Sequence, residues 1–263
     1  MNRALYVAKT GLEAQDFRLA TISNNLSNAN TFGYKAGRAE FDDLMYQNVR
    51  QPGASATQND DNTLPSGLQL GTGVKAVGVQ KLHTQGNAMV TDNQLDVMIE
   101  GRGFFQALDQ DGNIRYTRDG SFEMNQNGDL VTSSGYLVEP NINIPLNSTE
   151  VFIGSDGTVS YKEPGNPEPV DAGQLELATF VNQSGLEAMG KNFYAETLAS
   201  GPPNIKAPET EEAGSLLQGA LESSNVNTVD ELIGMIEAQR TYEMNSKAIS
   251  AADGMMQYLN NNV

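Results

Sequence analysis

The chain of 263 residues contains no cysteine, no tryptophan and one histidine. The first absence removes disulfides, thiol nucleophiles and cysteine-ligated metals together, while leaving the redox compartment open. The second removes the broadest ring that could stack on a sugar. The single histidine, His83, ends a β-type run beside Thr84 and reads as a surface residue rather than a catalyst. Basic residues are scarce, 16 Lys and Arg against 33 Asp and Glu, for a formal charge of −17. That excess repels phosphate backbones and anionic headgroups, so nucleic acid and membrane surfaces are poor partners, and it opposes self-association at low salt. Hydrophobic residues make up only 38% and mean hydropathy is −0.42, which suggests modest β domains plus elongated parts. No run has the length of a membrane span. The opening "MNRALYVAKTGLEAQD" carries Arg3, Lys9, Glu13 and Asp16 without an apolar stretch, so it is not a secretory signal. Taken alone, these facts point to a soluble cytoplasmic protein.

What the chain does have is periodicity at its two ends. Leu5, Leu12, Leu19 and Leu26 recur every seven residues, with Met1, Ala8, Gln15 and Ile22 between them. This is an a/d seam of nearly four heptads, in which Gln15 is the one polar member. The asparagines of "TISNNLSNANTFGYK" then offer side-chain hydrogen bonds that compete with helix, and Gly33 supplies a residue free to adopt positive φ. At the other end Thr228 and Glu231 suggest a capping box. Met235, Tyr242, Ile249 and Met256 follow at heptad spacing, with Ala238, Asn245, Ala252 and Leu259 at the second seam position. Gly234 and Gly254 each weaken this helix by up to ~1 kcal/mol, so packing must hold it. Ordering some sixty terminal residues opposes burial by ~1–2 kcal/mol apiece, and an isolated pair of such helices is marginal. The ends are therefore expected to be largely disordered in a free subunit and to fold on docking.

Between the ends the texture is β. "VKAVGVQKL" (74–82), "LDVMIEGRGFFQALD" (95–109) and "QLELATFV" (174–181) are separated by "DQDGN", "RDGS", "NQNGD" and "GSDGT", whose Asn-Gly and Asp-Gly pairs suit tight hairpins. The expected fold is α+β, with terminal helices forming a coiled coil and a central, mostly antiparallel β domain. The expected divisions are 1–32, a connecting region 33–74, a β core 75–222 and 223–263. Residues 46–73, polar and rich in turn formers, make a long connection of the kind that is usually functional or disordered.

Catalytic patterns do not emerge. Asp109, Asp111 and Asn113 imitate the start of a calcium loop, but the twelfth position, where a bidentate acid belongs, is Gly120. "GTG" and "GRG" lack a third glycine and a following helix, and no Gly-x-Ser-x-Gly occurs. No enzyme activity, cofactor or metal is expected. Paired carboxylates for glycoside hydrolysis are invisible in sequence, so a monomeric β-rich glycan-binding or hydrolytic protein stays open as an alternative.

Longer motifs add a resemblance. "GLEAQDFRLATISNNLSNANTFGYK" resembles the N-terminal signature of bacterial flagellar rod, hook and hook-associated proteins, and "SSNVNTVDELIGMIEAQRTYEMNSKAIS" resembles their C-terminal one. "LDVMIEGRGFFQ" and "YTRDGSFEMNQNGDLVTSSGYLV" are similar to the family's core domain, so the likeness runs from residue 1 to 263. "FDDLMYQNVRQPG" and "TLPSGLQLGTGV" look like the distal rod members, with hook and proximal rod members as alternatives. Ser27, Tyr34 and Gly234 depart from the usual alanine, phenylalanine and non-glycine residue, which bears on helix stability alone. The resemblance implies a rigid, tubular helical polymer of identical subunits, with the paired terminal helices lining a channel through which exported subunits pass. It implies torque transmission and contacts to proximal rod proteins, hook protein and the surrounding periplasmic and outer-membrane ring proteins. It also implies export through the flagellar type III apparatus without a cleaved signal, which replaces the cytoplasmic expectation. The segment matching 46–73 would keep the rod straight. Packing between helices and subunits would fall to Leu5, Leu12, Leu19, Ile22, Leu26, Met235, Tyr242, Ile249, Met256 and Leu259.

Overall fold

The computed structural model describes residues 3–51, 66–165, 168–210 and 212–261, so 52–65 of the long connection lie outside the described residues. The protein is α+β: helix α1 spans Arg3–Ser27, helix α2 spans Thr228–Asn261, and among the described residues between them lie twenty short strands. Every strand pairing with a resolved register is antiparallel. Two compact units form. One gathers Met1–Leu26, Gly37–Gln80 and Asn227–Val263; the other gathers Ser27–Ala36 and Lys81–Val226.

In the helix unit, α1 lies against a two-stranded sheet of Gly37–Asp43 and Val74–Lys81. Phe17 meets Phe41 edge-on with ring centroids 6.3 Å apart. Thr10 turns its hydroxyl toward the Val74 amide at 3.4 Å, and Gly73 comes so close to that hydroxyl that only a glycine fits. Asn25 is buried and takes the place of a ladder partner for Gly37: its Oδ1 accepts the Gly37 amide and its Nδ2 donates to the Gly37 carbonyl, both at 2.8 Å. This asparagine thus serves a residue twelve positions on. A second small sheet pairs Gln47–Arg50 with Leu68–Leu70. Helix α2 begins one residue earlier in its capping than the Thr228–Glu231 pattern suggests. Asn227 Oδ1 accepts the Val229 amide at 3.1 Å and its Nδ2 donates to Asp230 at 2.7 Å. Asn227 and Asp230 make the cap, which leaves Glu231 free for another contact.

The β unit is built on a seven-stranded sheet with strands in the order Glu187–Gly190, Phe193–Ala195, Ile114–Thr117, Phe105–Leu108, Leu137–Glu139, Leu130–Thr132, Phe122–Met124. A three-stranded sheet of Glu150–Ile153, Thr158–Lys162 and Val170–Gln174 accompanies it. "GRGFF" shows how the sequence sets this up. Gly101 and Gly103, at φ +109° and +141°, break the 95–109 run into two strands. Successive residues of a strand face opposite ways. Phe105 therefore joins one core, with Phe122, Leu130, Val159 and Leu175, while Phe104 joins a second with Tyr116, Phe180, Leu186 and Tyr194. Three of the four expected hairpins form, at "DQDGN", "NQNGD" and "GSDGT". The calcium-like "DQDGN" is one of them. "RDGS" is not a hairpin, because the strands on either side of it are not neighbours in the sheet. Gly120 instead brings the backbone against Val97, accepting its amide at 3.0 Å, and the preceding Arg118 is driven into the interior.

Glycine 33 marks the entry to this unit. At φ +68° an added Cβ would stand 2.7 Å from the Asp119 nitrogen and 2.8 Å from the Arg118 carbonyl carbon. Gly112 has a similar φ of +79° but faces open space. Gly112→Ala should therefore cost only the left-handed conformation, about 1–2 kcal/mol. Gly33→Ala adds a backbone collision and should cost clearly more, lowering the urea midpoint of the tyrosine-detected transition further than Gly112→Ala does. Equal midpoints would contradict the close approach.

Candidate functional site

Two features stand out from the rest of the fold: the contact between the terminal helices, and a cluster of buried charges in the β unit. Along the helices, contacts join Gly11 to Asn245, Arg18 to Glu237, Ile22 to Gly234, and Asn25 to Glu231. As one partner advances along α1, the other retreats along α2 in near-equal steps, as antiparallel helices require. The contacts are close because small residues stand at them. The Ile22 Cδ1 lies 3.4 Å from where a Cβ on Gly234 would be, and the Asn245 amide nitrogen 3.0 Å from where one on Gly11 would be. Ala8, Ala14, Ala238 and Ala252 are buried. Asn25 Nδ2 donates to Glu231 at 2.8 Å, and Arg18 pairs with Glu237 at 3.6 Å on the exposed rim.

The residues singled out from the heptads take different positions around this contact. Ile22 is buried against Gly234. Leu5, Leu12, Leu19, Leu26, Met235 and Ile249 are half-buried. Tyr242 and Met256 are exposed, at 42% and 44%. The side chain of Leu259 lies outside the described residues. The closest contacts thus run through a narrow column of small and polar residues, with the large apolar residues flanking it. Much of α2 remains uncovered: Val229, Ile233, Ile236, Met244 and Met255 are each at least half exposed. Among the described residues no group of acidic or histidine side chains could hold a metal ion.

The second feature was not singled out in the sequence. Lys35, from "TFGYK", has a fully buried side chain whose Nζ meets Glu222 Oε1 at 2.6 Å and donates to the Thr84 carbonyl at 2.8 Å. Glu222, equally buried, also accepts the Gly86 amide at 2.8 Å, and its Oε2 stands 3.6 Å from Arg118 Nη1. Arg118 donates to the Gly101 carbonyl at 2.7 Å and lies over the Phe104 ring. Asn225 accepts the Ala36 amide and donates to the Leu82 carbonyl. Two cations thus share one anion in the interior. Burial, reinforced by the Arg118 charge, pulls Lys35 below the usual lysine range although Glu222 pulls it up. The one legible hint was that Lys35, Arg118 and Asn225 fall inside the long family-like motifs, while Glu222 stands one residue before the last of them.

His83 is part of the same environment and is not a surface residue. Its ring stands edge-on to Phe104 and Tyr194, each 5.6 Å away, and both ring nitrogens are enclosed. The Gln183 backbone pulls its pKa upward without reaching hydrogen-bond geometry. Burial wins, helped by the charges of Lys35, Arg118 and Lys81, and the pKa falls to about 4.

Comparison with known proteins matches three family models in chain order. They are a flagella basal body rod protein model over residues 5–35, the D1 domain of flagellar hook protein FlgE/F/G over 98–161, and the C-terminal model of flagellar basal body rod FlgEFG proteins over 217–262. The chain is 53% identical over 256 residues to the flagellar basal-body rod protein FlgG of Buchnera aphidicola subsp. Acyrthosiphon pisum, covering 97% of this chain and 98% of that one. It is 46% identical to the protein of that name from Caulobacter vibrioides, covering 97% of each. Against that of Bacillus subtilis the identity is 36% over 99% of each chain.

The enclosed histidine generates a pH dependence. Its folded pKa lies below the unfolded value of about 6.5, so the unfolded chain takes up the proton first as pH falls. Stability from this group is fully present above pH 6.5 and is lost as pH drops toward 4, by on the order of 2 kcal/mol between pH 8 and 5. His83→Phe should flatten that part of the urea-midpoint profile relative to the parent chain. Parallel profiles would refute the enclosure of the ring.

Proposed function

Because the chain belongs to the flagellar basal-body rod protein FlgG family and is a structural subunit of the distal rod, we propose that it polymerises through its terminal helices into a rigid helical tube. The observation that carries this reading is the uncovered face of α2. A helix of 34 residues, held by a narrow column of alanine, glycine and asparagine, leaves long aliphatic and methionine side chains in water along its length. Full burial of such side chains is worth ~1.5–3 kcal/mol each, so covering the exposed half yields about 1 kcal/mol per residue. Five such residues per subunit favour association, and the same surface repeated on every copy favours sister molecules as the cover. Identical subunits joined by heterologous contacts on a non-closing screw axis give a filament.

In this reading the two helices pair as an antiparallel coiled coil. Leu5, Leu12, Leu19, Leu26, Met235, Tyr242, Ile249, Met256 and Leu259 meet neighbouring subunits, while Ile22 closes the pair itself. The tube transmits torque toward the hook and leaves an axial passage for exported subunits. Its neighbours are proximal rod proteins, hook protein and the periplasmic and outer-membrane ring proteins, with export by the type III route. The acidic surface limits premature association in the free subunit. Residues 46–73 bridge adjacent subunits and resist the sliding that bending needs.

Leu19→Asp or Ile249→Asp would put an unpaired carboxylate in the subunit seam, at a cost of several kcal/mol per copy. Either should abolish sedimentable polymer while the β unit keeps its cooperative urea transition; normal filaments from both variants would overturn the seam. In the free subunit, amide exchange should be fast across 3–26 and 230–258 and slow in the β unit. Strong protection at both ends would remove the coupling of folding to assembly. Deleting 46–73 should give a tube that curves in electron micrographs, and a straight product would exclude the bracing role.

A further inference from the structure

Within the β unit, the segment from Gly214 to Asn225 is stitched to several separate places. Gly214 donates to the Arg102 carbonyl at 2.7 Å, and Ser215–Gln218 pairs with Val97–Glu100. The Gln218 side chain donates to the carbonyls of Gln94 and Val151 and accepts the Ile153 amide. Gly219 donates to the Asp96 carbonyl and accepts the Thr91 amide, and Ala220–Glu222 pairs with Ala88–Val90. Ser223 donates to the Asn87 carbonyl, and Asn225 reaches Ala36 and Leu82. Glycines stand where backbones meet. A Cβ on Gly86 would collide with the Ser223 carbonyl oxygen, and one on Gly214 with that of Glu100.

The charges make this attachment all-or-none. The returning segment supplies the anion of the cluster, Glu222, whereas both cations, Lys35 and Arg118, are rooted elsewhere. Lifting the segment strands two cations that have lost their counter-ion. It also removes the acceptor for the Gly33 amide, which bonds the Glu222 carbonyl at 2.8 Å, and for the Gly86 amide. Partial detachment gains little, because stranding a buried charge costs as much as complete detachment.

We propose that residues 214–226 are a clasp, locked by Glu222 between Lys35 and Arg118, that opens and closes as one cooperative element while the seven-stranded sheet persists. The clasp immediately precedes α2 in the chain. The proposal does not depend on the polymer reading, since it concerns the free subunit.

Native-state amide exchange on the full-length free subunit tests it. The amides of Gly33, Thr91, Gly219 and Ser223 should exchange through one opening of common free energy. They should exchange faster than Leu130 and Leu175, whose partners lie in the core. Glu222→Gln should speed the first set together by about tenfold or more and leave the second within about threefold. Acceleration of both sets alike, or of neither, would overturn the clasp. Should Glu222→Gln not fold, the triple variant Lys35→Met, Arg118→Met, Glu222→Met removes all the charges without stranding any. With no charge left to strand, its clasp amides should lose the common rate, and a rate still shared by Gly33 and Gly219 would overturn the charge lock.

Discussion

A carboxylate shared by two buried cations is the constraint on which the rest of the β unit depends. Charges this deep are costly unless each is paired and hydrogen-bonded. Glu222 goes part of the way to meeting that demand when Lys35, Gly86 and Arg118 arrive at one place. Its Oε2 faces Arg118 at 3.6 Å without a hydrogen bond. Its Oε1 takes Lys35 and the Gly86 amide, and its backbone carbonyl takes the Gly33 amide. Each is set by a local feature: Gly33 by its positive φ, Gly86 by the space it leaves for Ser223, Arg118 by the turn at Gly120. Parts of the chain nearly two hundred residues apart are thus brought together by electrostatics as much as by apolar packing. Replacing the whole set with apolar residues need not destabilise the unit, but removing one member must, and that asymmetry is what gives the arrangement its specificity.

The helix unit works on the opposite principle. Its closest contacts are small or polar, and its large apolar residues stand at the edge of the contact or in water. A seam of glycine and alanine allows close approach but buries little area, so the pair gains modestly from itself and much from further partners. A stable isolated pair would need the leucines and methionines turned inward. The pattern observed suits a subunit whose helices are completed by other copies.

The two units therefore divide the work of a rod subunit. The β unit buries its large apolar residues internally, while the helix unit leaves apolar surface exposed, which in the proposed reading serves assembly. The cluster that includes Lys35 and Asn225 belongs to the first, yet it holds the stretches from which both helices depart in sequence.

Much of this was legible in the residues themselves. Heptad leucines and methionines announced two terminal helices, and Asp-Gly and Asn-Gly pairs announced hairpins, because both signals are local and depend on backbone geometry over a few residues. Long motifs placed the chain in its family. Each seam was read with two columns, three or four positions apart. That the column of Ala8 and Ile22 on α1 and that of Ala238, Asn245 and Ala252 on α2 lie deepest was not legible, since both columns carry the same repeat and only the partner's small residues choose between them. The role of "RDGS" was hidden because strand order in a sheet is non-local. Above all, nothing in sequence says that Lys35 and Arg118 are buried or that the ring nitrogens of His83 are enclosed. A charged or titratable side chain goes inside only when a counter-ion or an enclosing ring arrives from a distant segment, and that meeting exists only in the folded chain.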